Sequence, residues 1–357
     1  MRQAAERHSA VACSVRHAVL TTGVLMTLVI SACTADPPEE RLLDYETRLF
    51  RTLEITAQEK PTTQYMRFPS QPTLLADNIR ETIDILDLWS IRECALHGVL
   101  AQKNSALGRV AQPSTRMFYA LEFLRLAPQC IQQLQSEGKE DLAAILSEAI
   151  ASKEAQLPKI IWQGVLGGGE YERYWKIPQQ LGDYPEAENY GSDTALAALA
   201  DDVERWLDKD YRYQSSEVEG NLQKILAGDG GALYKSIVLQ GFYLGRIDTA
   251  LKERLQTGRV CRSGKDARAN ILDTVVRKYF VGTIQPWSVQ IQARAFQLDA
   301  AREIEDLLAA GQPEAFGVWR EKRDRVITEA LQAPRHHVQS LLPIMRQCGL
   351  APEDQAL

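Results

Sequence analysis

Residues 291–308 read IQARAFQLDAAREIEDLL, and Ile291, Ala295, Leu298, Ala301, Ile304 and Leu308 fall at three- and four-residue steps. That spacing lines one face of an α-helix and fits neither face of a strand. The same spacing recurs outward in both directions. Toward the C-terminus it predicts shorter helices around Trp319–Leu331 and Val338–Arg346. Toward the N-terminus, Pro286 separates this helix from a segment holding Val275 and Val276. Leu233, Ile237, Leu244, Leu251 and Leu255 mark a long helix before that, and Leu196, Leu199, Val203 and Trp206 another.

The N-terminal half behaves alike. Leu42, Tyr45, Leu49 and Leu53 form one stripe. Leu75, Ile79, Ile83 and Leu86 form a second, in a segment expected to run to about Ala101. Pro113-Ser114 opens a helix carrying Met117, Leu121 and Leu124. It is expected to stop near Ala127-Pro128, because a proline disfavours helical geometry in the residue before it. Leu142, Ile145, Leu146 and Ala149 mark the next, expected to end before Pro158. Period-two alternation is missing, and no fixed repeat period signals a solenoid. The expected fold is an all-α, multi-helix bundle of about eight to ten helices.

One stretch breaks the pattern. Residues 164–191 read GVLGGGEYERYWKIPQQLGDYPEAENYG, dense in glycine, proline, tyrosine and acids. A loop this long is either functional or a connection between subdomains. The reading therefore places an N-terminal helical subdomain at 33–162, an irregular loop at 163–191 and a C-terminal helical subdomain at 192–357.

The start of the chain reads as an address. Arg2, Arg7 and Arg16 stand against Glu6 alone, and the uncharged run AVLTTGVLMTLVI spans 18–30. A basic segment followed by a short apolar one is the layout of a secretory signal. Ile30-Ser31-Ala32-Cys33 then reads as a bacterial lipobox: an aliphatic residue, two small ones and a cysteine whose thiol takes the lipid. Residues 1–32 are thus expected to be removed as a lipoprotein signal peptide, with lipidation at Cys33. Thr34, in place of an aspartate, favours the outer membrane, facing the periplasm.

Composition narrows the remaining classes. The 357 residues are 45% hydrophobic and 25% charged, with a formal net charge of −6. Loss of three arginines and one glutamate with the signal leaves −8. An acidic exported protein is repelled by anionic polymers. The expected partners are the membrane through the lipid anchor, an envelope protein or peptidoglycan, and no nucleic acid.

Beyond Cys13 and Cys33, the chain carries Cys94, Cys130, Cys261 and Cys348, an even number suited to an oxidising compartment. Of three possible pairings, Cys94–Cys130 with Cys261–Cys348 is the favoured one. On the loop-entropy account these bridges would contribute about 4 and about 4–5 kcal/mol. No CxxC spacing occurs and histidines after the signal are few, so no metal site and no cofactor are expected.

Two groups are candidate ligand sites. Glu170, Tyr171, Glu172, Tyr174 and Trp175 combine rings that could stack on a sugar with acids that could bind its hydroxyls, or, as a pair, serve glycoside hydrolysis in an envelope enzyme. The plain alternative is that these rings plug the core. Arg92, Glu93 and Asn104 could form a buried polar network, or Asn104 could mark a helix stop. Other motifs fail. Gly258 to Asp266 has a residue too many for a P-loop and ends in aspartate, and Ser136–Lys139 matches SxxK without its companion motifs. His97 is isolated, and no catalytic residue is assigned.

The lipobox together with LWSIRECALHGVLAQKNSALGRV (88–110), FLRLAPQC (123–130) and VCRSGK (260–265) resembles an uncharacterised lipoprotein family of Gram-negative bacteria, domain of unknown function 3080. The resemblance implies an exported protein with three acyl chains on Cys33, and brings no activity, cofactor or catalytic residue. The four later cysteines fit its disulfide reading.

Overall fold

Proline does not end the helices in which it was expected to act as a stop. In a computed structural model describing residues 36–56, 62–74, 91–185, 191–261 and 267–351, Pro128 lies inside α5 (Pro113–Ser136) and Pro158 inside α6 (Glu140–Val165). A proline within a helix removes one backbone hydrogen bond and costs about 3 kcal/mol. Here burial runs across it. Leu124 and Ala127 before Pro128 and Cys130 and Leu134 after it are all buried, as are Leu157, Ile160 and Ile161 around Pro158. Packing of an amphipathic face outweighs local preference. The two helices pair closely along their lengths. Gly138 turns the chain between them at φ 72°, a conformation that needs no side chain.

The remaining elements are helical too. α1 (Pro38–Leu53) precedes a single turn, α2 (Gln71–Leu74), then α3 (Leu96–Asn104) and α4 (Ala106–Arg109). After α6 come α7 (Gly169–Tyr174), α8 (Ser192–Leu207), α9 (Ser215–Ala227) and the long α10 (Gly230–Gln256). α11 (Ala267–Val275) continues through a π-helical stretch (Val276–Ile284) into α12 (Gln285–Ala295). α13 (Gln297–Leu307), α14 (Glu314–Leu331) and α15 (Ala333–Gln347) follow. The described residues contain no strand, and the all-α reading stands. The stripe at residues 75–86 lies outside the described residues. The helix of 291–308 breaks at Phe296 into α12 and α13, while its core face stays buried at Ile291, Leu298, Ala301 and Ile304.

From Asp36 onward the chain forms one compact unit, and the stretch 163–191 runs within it. That stretch is not one irregular loop: its start closes α6 and its middle is α7. Helix α10 lies at the centre, packed against α1, α12, α14 and α15. The chain after α7 crosses its N-terminus closely, and a Cβ on Gly231 would collide with the backbone carbonyl of Lys176. Lys235 Nζ then donates to the carbonyls of Pro178 (3.0 Å) and Gln179 (2.7 Å), which fixes the crossing.

Two disulfides close the fold. Cys94 joins Cys130, tying the start of α3 to α5, and Cys261 joins Cys348, tying the chain after α10 to the end of α15. All four cysteines are buried.

Candidate functional site

The sequence at 171–175 already holds the reason its rings turn inward. Tyr171, Tyr174 and Trp175 are spaced i, i+3, i+4, which places them on one side of a helical turn. α7 turns that side into the protein, leaving the three rings 0%, 3% and 3% exposed. Glu172 and Arg173 point outward and Glu170 is half-buried. A sugar in solvent cannot stack on rings so enclosed, and the ligand reading of this loop is corrected: the aromatics plug the core.

What they enclose is a charge pair. Arg323 of α14 and Glu305 of α13 are 1% and 0% exposed. Arg323 Nη1 donates to Glu305 Oε1 at 2.7 Å and Nη2 to Oε2 at 2.6 Å, a two-pronged match of guanidinium to carboxylate. The guanidinium carbon lies 4.5 Å from the Trp175 ring and 4.7 Å from the Trp319 ring. The Tyr171 hydroxyl donates to Glu305, and Asp324 accepts from Arg323 Nε at 3.0 Å. Burial opposes the arginine's charge, yet the Glu305 carboxylate outweighs it and holds the guanidinium above its ordinary pKa.

A second buried cluster was not among the sequence candidates. Tyr45 of α1, His337 of α15 and Asp248 of α10 meet where three helices converge. Tyr45 Oη lies 2.7 Å from His337 Nε2, and His337 Nδ1 lies 2.6 Å from Asp248 Oδ1. The Phe280 ring packs across the imidazole at 4.8 Å. The order hydroxyl–imidazole–carboxylate is that of a nucleophile with its base. His337 and Tyr45 are both 0% exposed, so neither can meet a substrate from solvent. The cluster fastens helices. The two histidines at 336 and 337 could have drawn attention to it, but the residues that pair with His337 lie 89 and 292 positions away.

These phenols make stability depend on alkaline pH. Burial first and the Asp248 charge second hold Tyr45 well above its ordinary 10.0, and burial followed by Glu305 does so for Tyr171. In the folded chain they stay protonated where the unfolded chain ionises. Their stabilisation is therefore complete below pH 10.0 and lost as pH rises beyond it. The urea midpoint is expected to fall steadily between about pH 9 and about pH 11. A flat profile over that range would show that both hydroxyls reach solvent.

The other sequence candidates disperse. Arg92 and Glu93 pair with each other at 3.1 Å on the surface, their side chains 65% and 66% exposed. Asn104 is exposed at the end of α3. The buried network drawn from these three is thus corrected: water solvates each of them. Ser136 donates to the Gln133 carbonyl and Lys139 pairs with Glu137, so the SxxK match is engaged locally. His97 is half-buried on α3. Residues 262–266 of the glycine-flanked turn, like Cys33, lie outside the described residues. Among the described residues, no group of three or more His, Cys, Asp and Glu could hold a metal.

One feature open to a ligand adjoins the Arg323 cluster at Asp324. A cavity of about 160 Å³ is lined by Lys159, Trp162, Gln163 and residues 310–313. It meets at Gln312 an open groove of about 590 Å³ running past Glu314, Val318, Arg320 and Asp324. Trp162 Nε1 and Gln312 Oε1 are sealed there without a hydrogen-bond partner among the described residues. The aromatic packing of Trp162 on Phe316, and of Trp175 on Trp319, supports α14 from beneath.

The sequence model of a family described as a protein of unknown function, DUF3080, matches residues 42–352. No curated protein and no solved structure matches the chain.

Proposed function

Since the chain belongs to the DUF3080 family of proteins of unknown function, we propose that it is a lipid-anchored envelope protein of the outer membrane, facing the periplasm, which works by binding a partner and not by catalysis. The observation that carries the reading is the register of the leader. Three arginines, a thirteen-residue uncharged run and Ile30-Ser31-Ala32-Cys33 follow one another in the order that lipid transfer requires. The two disulfides support an oxidising compartment. Binding is favoured over chemistry because the groups best arranged for proton transfer are sealed inside the fold, while the groove at Gln312 is open.

Among partners, an envelope protein comes first, engaged through a peptide segment in that groove. Peptidoglycan is the second reading, through the polar side chains that line the same groove. Calorimetry with muropeptides separates them: heat that disappears in Gln312→Ala supports peptidoglycan, and no heat removes it. The anchor has its own test. Cys33→Ser is expected to yield a chain with no acyl mass and with residues 1–32 still attached. A variant processed to residue 33 as the wild type is would refute lipidation at Cys33.

A further inference from the structure

Helix α12 carries a second apolar stripe, opposite the one that faces the core. Pro286, Val289, Ala293 and Phe296 follow at steps of three and four and are all exposed, Val289 and Phe296 at 62% each. Val281, just before them, is 47% exposed. The other exposed positions between 281 and 297 are glycine and glutamine. The single charged residue in this span, Arg294, turns inward, its side chain 13% exposed and paired with Asp229 at 2.6 Å. In a chain that is 25% charged, five turns of surface without an exposed charge are a distinct patch.

The π-helical stretch that precedes the patch lies against the middle of α1. Phe280 stacks on Tyr45 at 5.7 Å, and the Arg48 guanidinium lies 4.3 Å from the Tyr279 ring. Two helical turns further, Trp287 Nε1 donates to the Tyr184 carbonyl at 2.9 Å, while the adjacent Asp183 faces Arg41 at 3.7 Å. Through Tyr184 and Asp183, Trp287 in the first turn of α12 is linked to Arg41 in the first turn of α1. Pro38 opens α1, five residues after Cys33, and five extended residues span at most about 18 Å.

We propose that the stripe Pro286–Val289–Ala293–Phe296 rests on the bilayer that receives the lipid of Cys33, an inference that depends on the lipidation reading above. A tether this short holds the patch at high local concentration near the lipid surface. Valine and phenylalanine enter the interfacial region without desolvating a charge, and the glutamines hydrogen-bond at headgroup level. The contact gives the tethered body one orientation on the membrane.

The test uses the full lipidated protein in phosphatidylethanolamine/phosphatidylglycerol vesicles. An environment-sensitive dye is placed on Val289→Cys and separately on Phe296→Cys, with Ile145→Cys, 47% exposed on α6, as the reference. Dyes at 289 and 296 are expected to shift to the blue and to be quenched by doxyl-labelled lipid, the dye at 145 to do neither. Equal quenching at all three sites, in protein whose intact mass shows acylated Cys33, would overturn the docking alone. A blue shift that follows protein concentration and ignores the doxyl lipid would assign the stripe to a second copy and overturn it too. An unacylated mass would remove the lipidation reading and this inference with it.

Discussion

Glu305→Ala is expected to destabilise the protein by about 3–5 kcal/mol, the cost of leaving a buried charge without its partner. Arg323 has 1% of its surface exposed, and its other carboxylate, Asp324, is an exposed-side neighbour whose side chain is 30% exposed. Removing Glu305 takes away both of the short bonds at Nη1 and Nη2 and also the acceptor of the Tyr171 hydroxyl. The damage spreads to α7, because Tyr171 is how that helix is fastened to α13. The double change Glu305→Ala/Arg323→Met is expected to recover part of the loss, since it removes the charge along with its partner and leaves methionine between the two indoles. Urea denaturation checks both. A single-variant loss below about 1 kcal/mol would mean that Arg323 is hydrated and not sealed.

Loss of the Cys261–Cys348 bridge is expected to cost at least as much. It closes 87 residues, and the loop-entropy account gives about 4–5 kcal/mol for such a span. The Cys94–Cys130 bridge closes 36 and is expected to contribute about 4 kcal/mol. Cys348 also caps α15, the helix that presents His337 to Tyr45 and Asp248. Cys261→Ser/Cys348→Ser should accordingly lower the denaturation midpoint more than Cys94→Ser/Cys130→Ser. A wild-type midpoint indifferent to dithiothreitol would contradict both figures.

Helix periodicity made most of the fold legible. The stripes beginning at Leu42, Leu196, Leu233 and Ile291 are core faces, because each spacing of three and four was long enough to outweigh chance. Proline misled at 128 and 158. The rule about the preceding residue is local, and the burial that runs past each proline depends on a facing helix that no single stretch reveals. The same holds for the site. Tyr171, Tyr174 and Trp175 carried their inward orientation in their spacing, though the glycines before them suggested a loop. Asp248 and His337 could not be paired in advance, since only the folding of α10 against α15 brings them together. The exposed stripe of α12 was present in the sequence too, on the reverse of a helix read for its core face alone.

The account stands on the chemistry at position 33, and mass spectrometry of the intact protein extracted from cell membranes reaches it most directly. The expected species is residues 33–357 with acyl chains on Cys33. A chain recovered with residues 1–32 still attached and no lipid would contradict it.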